Sequence, residues 1–300
     1  MQGQTDVRQS WSVIKSAFTG PQAWKLLLVI ALMIGHWLIE VFKWRLLIKH
    51  IQFIGFKRAF RAVLSGQALA FNTPNRVGEV FGRAAFLDEG NRLRGIAISM
   101  VGSLSVLLVI FLAGLPSLVY LRLGILDTTH QTIGVSVFWY NGFVFVTTIG
   151  AGLLLLAYFR LAWVIQWLER IPFVARHRYL VEELENFRWR ELTRILLLSA
   201  SRNVIYVVQY VLLLQVFDVH VSALDAACMI SVMFVVMAII PTITLAELGF
   251  RGKIGLVLFG LLSNNSVGII ATMAGIWIIN LIIPALAGSL FILGLRLFRK

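Results

Sequence analysis

Charge is scarce in this chain. Asp, Glu, Lys and Arg make up 14% of its 300 residues, against about 25% in soluble globular proteins. A soluble fold of that length has more surface to wet than so few charges can cover, which excludes soluble enzymes, DNA-binding modules and disordered chains. Cysteine is scarcer still. Cys228 stands alone inside an apolar run, so there is no disulfide framework and no Cys-x-x-Cys or Cys/His zinc spacing, and that residue is left a packing role. The first 20 residues, MQGQTDVRQSWSVIKSAFTG, hold no continuous apolar stretch of the kind a cleavable signal peptide needs. Catalytic signatures are missing too: no phosphate-binding loop, no Gly-x-Ser-x-Gly, no His-Glu-x-x-His, and histidines dispersed at His36, His50, His130, His177 and His220. An enzyme, an ATP-driven pump, a metal site and a cofactor are therefore not expected.

Hydrophobic side chains are what the chain has in excess, at 59% with a mean hydropathy of +0.86. That is the composition of an integral membrane protein. A spanning helix takes about 20 predominantly apolar residues, and five stretches qualify, roughly 24 to 43, 95 to 120, 133 to 158, 192 to 216 and 267 to 295. Two more apolar regions are interrupted, 59 to 88 at Asn72-Thr73-Pro74-Asn75 and 222 to 262 around Pro241 to Leu245. Proline removes a backbone donor and disfavours helix in the residue before it, and lipid tolerates such backbone only where protein or a water-filled cavity satisfies it. Each interrupted region is expected to be two helices meeting at a break, and each break to wall a site.

The 27 Lys and Arg against 14 Asp and Glu, net +13, would suggest nucleic acid in a soluble protein. Here the excess flanks apolar stretches and reads as membrane topology, with no nucleic-acid partner. Lys43, Arg45, Lys49, Lys57, Arg58 and Arg61 follow the first span, a run of arginines fills 160 to 194, and Arg296, Arg299 and Lys300 close the chain. The segments 121 to 132, 217 to 225 and 263 to 266 share one basic residue, Arg122, and are placed outside, which makes the C-terminus cytoplasmic. The order span, broken hairpin, span then occurs twice with opposite direction, the arrangement of many transporters. The expected fold is all-α, a polytopic membrane protein of about 7–8 membrane segments including two broken or re-entrant hairpins in an inverted repeat. One transmembrane domain covers 1–300, with half one at about 24–120, a connecting helix at about 133–158, a cytoplasmic interfacial linker at about 159–191 and half two at about 192–296. The trace leaves the N-terminus outside, and residues 7 to 19 read as an interfacial helix that would follow an upstream span. Reversing 24 to 43 is the alternative, and it would put six basic residues outside.

Ionisable side chains within spanning segments are costly and are functional candidates by default. Glu79, Arg83, Arg202, Glu247 and Arg251 qualify. The second arm of each hairpin begins with Glu-x-x-x-Arg, Glu79 to Arg83 and Glu247 to Arg251, a spacing that places the two charges face to face on a helix as a private ion pair. Two readings of Arg202 remain open. In one, Arg202, Arg83 and Arg251 ring a cavity and bind a phosphate, aided by the helix N-termini after the breaks; in the other, Arg202 pairs with Glu79 or Glu247 and locks helices together. His36 and Glu40 share a face at i, i+4, either as a candidate proton relay or as polar bundle contacts. Asn72, Thr73, Pro74 and Asn75 have the chemistry to cap the helix after the break. Arg76 and Lys253 read as side chains that snorkel towards head groups or water.

These residues resemble the lysylphosphatidylglycerol synthase transmembrane region, or flippase-like, family of bacterial membrane proteins. GHWLIEVFKWRLL at 35 to 47, FNTPNRVGEVFGRAAFL at 71 to 87, the mid-helix Arg202 and PTITLAELGFRG at 241 to 252 carry the resemblance, which spans nearly the whole chain after residue 20. By it, Pro74, Gly78, Glu79 and Arg83 match the family's first membrane-embedded motif, and Pro241, Glu247 and Arg251 the second; the broken helices of the family are associated with a lipid path. The chain departs from the pattern in carrying Thr242, Ile243, Thr244, Leu245 and Ala246 where glycines usually precede the Glu, and in having no charge over 99 to 113. The resemblance implies a stand-alone member without the family's aminoacyl-transferring domain, in the bacterial inner membrane, moving a phospholipid or lipid-linked precursor with an anionic or zwitterionic head group between leaflets. Asn72, Pro74, Gly78, Glu79, Arg83, Arg202, Glu247 and Arg251 would bind it. Homo-oligomers or a partner enzyme are compatible with this. The alternatives are an accessory subunit of a lipid- or glycan-modifying enzyme and an intramembrane transferase acting on polyprenyl phosphates.

Overall fold

A computed structural model of the chain describes residues 22–71, 73–126, 136–168, 170, 178–180, 182–240 and 244–294. In chain order, α1 covers Ala23–Ile48, and α2 (Phe56–Phe71) and α3 (Gly78–Ala84) flank a 3-10 turn at Pro74–Arg76. α4 (Arg92–Tyr120) runs on into a π-helical stretch at Leu121–Leu126 and is followed by α5 (Val137–Phe159). The linker holds α6 (Leu161–Leu168) and α7 (Glu182–Glu185). α8 (Trp189–Val216), α9 (Ala223–Ile239) and α10 (Thr244–Phe259) precede α11 (Ser266–Trp277) and α12 (Ile283–Leu293), which a π-helical stretch at Ile278–Ile282 joins. Among the described residues no strand occurs. Among the described residues, five helical stretches are long and apolar enough to cross a membrane, α1, α4 with its flanking turns, α5, α8 and α11 through α12, and they fall on the five stretches that hydropathy marks. The chain is a multi-pass membrane protein.

The arms of the broken regions are short. α2 has 16 residues and α3 has 7, roughly 24 Å and 10 Å at 1.5 Å per residue, less than the ~30 Å hydrocarbon layer. One hydroxyl joins them: Thr73 Oγ1 donates to the Leu69 carbonyl at 3.1 Å as α2 ends and accepts from the Gly78 N–H at 2.8 Å as α3 begins. Arg76 turns the chain between them with φ +58°, a left-handed conformation uncommon for a residue with a Cβ. The arms touch backbone to backbone, since a Cβ on Gly82 would lie 2.6 Å from Gly66 Cα; small residues permit such approach where lipid supplies no hydrophobic drive between helices. At the second break Ile240 leaves the helix with extended backbone, φ −86° and ψ 113°, as expected of the residue before a proline; Pro241, Thr242 and Ile243 themselves lie outside the described residues, as do residues 7 to 19.

α1 packs along α8, α2 on α12, and α9 on α4. Two apolar clusters result. One takes Val29 from the start of α1, Leu118 from the end of α4 and Tyr210 from the end of α8; the other takes Trp44 from the end of α1, Ile98 from the start of α4 and Ile195 from the start of α8. His36 of α1 and Arg202 of α8 fall between the two along the chain. Trp163, Trp167 and Trp189 are exposed around the linker.

Candidate functional site

Along α1 the buried positions recur every three to four residues, and His36, Trp37, Glu40, Lys43 and Trp44 are among them. α1 packs on α8, α2 and α4, and Arg83 reaches this stripe from α3. Glu40 is 1% exposed and accepts from three cations. Its Oε1 takes Arg83 Nη1 at 2.8 Å, while Oε2 takes Lys43 Nζ at 2.9 Å and also Arg202 Nη1. Arg83 further pairs with Glu79, whose other oxygen lies 3.6 Å from Arg76 Nε, and Arg76 donates to Gln67. A buried carboxylate stripped of water needs such partners, because an unpaired charge in low dielectric costs several kcal/mol. The rings of Trp37 and Trp44 add cation–π contact, with Arg202 Cζ at 5.8 Å and Arg83 Cζ at 5.7 Å from their centroids.

Arg202 Nε donates to His36 Nε2 at 2.9 Å. A guanidinium can only donate, so this imidazole accepts at Nε2, carries its proton on Nδ1 and is neutral. His36 and Glu40 meet only through Arg202, since His36 Nδ1 has no hydrogen-bond partner. Lys43 Nζ reaches Ser199 Oγ at 3.4 Å, which in turn bonds Ser105 Oγ at 2.8 Å. The network therefore holds four cations, Lys43, Arg76, Arg83 and Arg202, against the two carboxylates Glu40 and Glu79.

A cavity of about 450 Å³ opens beside it, within the ~300–1,000 Å³ of ordinary ligand pockets. Residues at the first break and flanking the second line it. Arg76 comes from the first, Glu247 and Arg251 from the arm after the second, Arg202 and Tyr206 from α8, and Asn280 from the π-helical stretch. His36, Ser199 and Asn203 add polar groups, and most of the rest of the wall is apolar, with Val109 of α4 and Phe234 and Met237 of α9. Arg251 pairs with Glu247 on its own helix and donates to the Tyr210 hydroxyl. Arg202 and Arg76 keep part of their side chains accessible, 17% and 35%. An anionic group entering here would meet guanidinium donors on one side and apolar surface on the other, the environment an amphiphile needs. Among the described residues no three His, Cys, Asp or Glu side chains gather as a metal would require.

The sequence nominated Arg202, Glu247, Arg251 and His36, and all four line the cavity. Glu40, Glu79 and Arg83 form the network behind it; Pro74 starts the 3-10 turn and Gly78 starts α3, where a Cβ would lie 2.3 Å from the Leu69 carbonyl oxygen. Asn72 lies outside the described residues. Two expectations are corrected. Arg202 pairs with Glu40 and His36 rather than with Glu79 or Glu247, because α1 lies along α8 while Glu79 is already claimed by Arg83 and Arg76. Arg83 is not on the cavity wall, since its guanidinium is drawn back between Glu40 and Glu79, and Arg76 takes its place. By sequence alone Arg76 reads as a snorkelling side chain and Lys43 as one of a cytoplasmic basic group. Their signal was local, for Arg76 stands three residues before Glu79 and Lys43 three after Glu40.

The family model described as the lysylphosphatidylglycerol synthase TM region matches residues 2–288. Neither a curated protein nor a solved structure matches the chain. A membrane-helical bundle with this match fits a protein of lipid metabolism. The chain belongs to the family of the lysylphosphatidylglycerol synthase TM region.

Proposed function

We propose that this protein moves an amphiphile with an anionic head group between the leaflets of a bacterial inner membrane, without a chemical step of its own. One observation carries the reading: three guanidinium groups from three separate elements, Arg76, Arg202 and Arg251, converge on a single cavity whose remaining walls are largely apolar. The head group would exchange water for these donors while the acyl chains stay in lipid. Passive or ion-coupled movement suffices, because no nucleotide-binding loop is present in the sequence.

An inverted repeat of about 7–8 membrane segments fits the packing. α2 of the first hairpin packs on α12 of the second half, α9 of the second hairpin packs on α4 of the first half, and α1 packs on its counterpart α8. Such reciprocity is what a pseudo-twofold axis between α1 and α8 would produce. Positive charge flanking 43 to 61 and 160 to 194 supports a cytoplasmic C-terminus.

The test is a fluorescent-lipid assay on proteoliposomes, with phosphatidylglycerol, phosphatidate and phosphatidylethanolamine reporters. Wild-type protein should speed access of a membrane-impermeant quencher to inner-leaflet reporter, and Arg202→Gln should abolish that gain while eluting as wild type does. Wild-type liposomes no faster than empty ones with any of the three reporters would sink the proposal. The saturation of Arg202 by Glu40 and His36 favours a second reading, an accessory subunit whose ion pairs only hold helices together. It requires Arg202→Gln to lower stability and leave lipid exchange untouched.

A further inference from the structure

We infer that the ligand head group is a phosphomonoester dianion carried on a lipid, rather than a phosphodiester or a zwitterion; the inference rests on the proposed lipid reading and narrows its substrate class. The network and the cavity wall together hold five cations, the four of the network and Arg251, against Glu40, Glu79 and Glu247. His36 adds nothing to the balance because it accepts from Arg202. The excess is two positive charges. Other carboxylates that the structure describes stand at helix ends, Asp88, Glu89, Glu191 and Asp225 among them, and cannot neutralise it.

An uncompensated double positive charge in low dielectric is what the bundle presents to a ligand. A phosphodiester head group with one negative charge removes half of it. A zwitterion removes none, and a head group bearing an extra ammonium adds to it. A phosphomonoester carries close to two negative charges above its second ionisation at about pH 6, and balances the site. The hydrogen-bonding inventory of the cavity wall points the same way. Among the described residues of the wall, His36 Nδ1, Trp37 Nε1, Arg76 Nε and Arg251 Nε are buried donors without hydrogen-bond partners, against a single such acceptor, Asn280 Oδ1. His36, Trp37 and Asn280 are each at most 5% exposed, so water does not meet these needs cheaply. Such an excess of donors over acceptors favours a ligand rich in acceptor oxygens, and a phosphomonoester offers three terminal ones where a diester offers two.

The test titrates the full chain in an uncharged detergent and follows its melting temperature, which a bound ligand raises according to its affinity. The probes are short-chain phosphatidate, phosphatidylglycerol and phosphatidylethanolamine, with inorganic phosphate as the soluble arm. At pH 7 phosphatidate should bind roughly tenfold tighter than phosphatidylglycerol, and the ratio should shrink towards unity at pH 5.5 as the second phosphate proton returns. Arg76→Asn keeps a residue that tolerates the left-handed backbone and should lose most of the preference; Arg76→Lys should restore part of it. Lys253→Ala, an exposed cation off the cavity wall, should leave the ratio unchanged. Equal binding of phosphatidate and phosphatidylglycerol, or no stabilisation by any probe, overturns the inference. Inorganic phosphate acting as strongly as phosphatidate overturns its lipid-borne form. Phosphatidate preference with no exchange of any lipid in proteoliposomes would sink the proposed transport alone, whereas exchange of phosphatidylglycerol with no preference would sink this inference alone.

Discussion

The two hairpins carry the same Glu-x-x-x-Arg spacing and put it to different uses. In the first, Arg83 answers both Glu79 on its own helix and Glu40 on α1, and Glu40 passes the connection on to Lys43 and to Arg202 of α8. In the second, Glu247 and Arg251 hold each other, and Tyr210 is the contact that leaves the helix. Backbone packing follows the same division. A Cβ on Gly66 would meet the Glu79 carbonyl oxygen at 2.7 Å, whereas Gly249 and Gly252 have nothing within 4 Å. An i, i+4 ion pair is thus a local device whose worth depends on whether a third element joins it. The first hairpin is fixed by electrostatics and by contact, and the second by far less of either.

Glu40→Leu should break this contrast most severely. It strands Arg83, Lys43 and Arg202 together, and removing one partner of a buried pair costs about 3–5 kcal/mol; the expected outcome is protein that aggregates on extraction, read by size-exclusion profile. Glu247→Leu strands only Arg251, which retains Tyr210, and should still yield a monodisperse peak with a lower melting temperature. Equal damage from the two would erase the distinction between the hairpins.

Next in size is a pair of glycine substitutions. Gly82→Ala forces a methyl against Gly66 and the Ser65 carbonyl oxygen, an overpacking that costs about 1–3 kcal/mol. Gly252→Ala enters open space on α10 and should be neutral or stabilising by up to ~1 kcal/mol through helix propensity. Melting temperatures of the two variants should move in opposite directions. Tyr210→Phe then removes one hydrogen bond to a charged group, worth about 1.5 kcal/mol, and should lower the melting temperature of the wild type but not that of Arg251→Met.

The smallest effect sharpens the comparison at the outer rim of the first hairpin. Asp88 accepts from Arg58 Nη2 at 2.9 Å, and that hydrogen bond first, then one involving Gln52, holds its carboxyl below the usual value. A carboxyl depressed in the folded state stabilises at pH above its unfolded value of about 3.9 and loses that contribution as pH falls through the folded value. Between pH 5 and pH 3 wild-type protein should therefore lose a small increment of stability that Asp88→Asn does not, visible as converging melting curves, because the pair is exposed and largely screened.

Much of the architecture was legible in one dimension. Spans over 24 to 43 and 192 to 216 follow from length and hydropathy alone, since a helix must bring its own backbone hydrogen bonds into lipid. Pro74 marked the first break because a proline cannot donate, and the same-helix pairs Glu79–Arg83 and Glu247–Arg251 followed from helical spacing. Arg202 shows where such reasoning stops. Spacing says which charges share a helix and nothing about which helix lies alongside, so its partner could be chosen only among acidic residues already singled out. Arg76 was read as snorkelling because sequence does not reveal a left-handed turn that aims a side chain inward.

By itself, then, the sequence determined that this chain is a helical membrane protein with two broken regions and a handful of charges too costly to be idle, since composition and local spacing obey transfer and hydrogen-bonding energies that act on single segments. Tertiary structure alone decided that Glu40 collects three cations, that Arg83 withdraws while Arg76 comes forward, and that Arg76 of the first break and residues flanking the second line one cavity. Those outcomes depend on distances between helices, and charge balance in low dielectric is settled only once every neighbour within a few ångströms is in place.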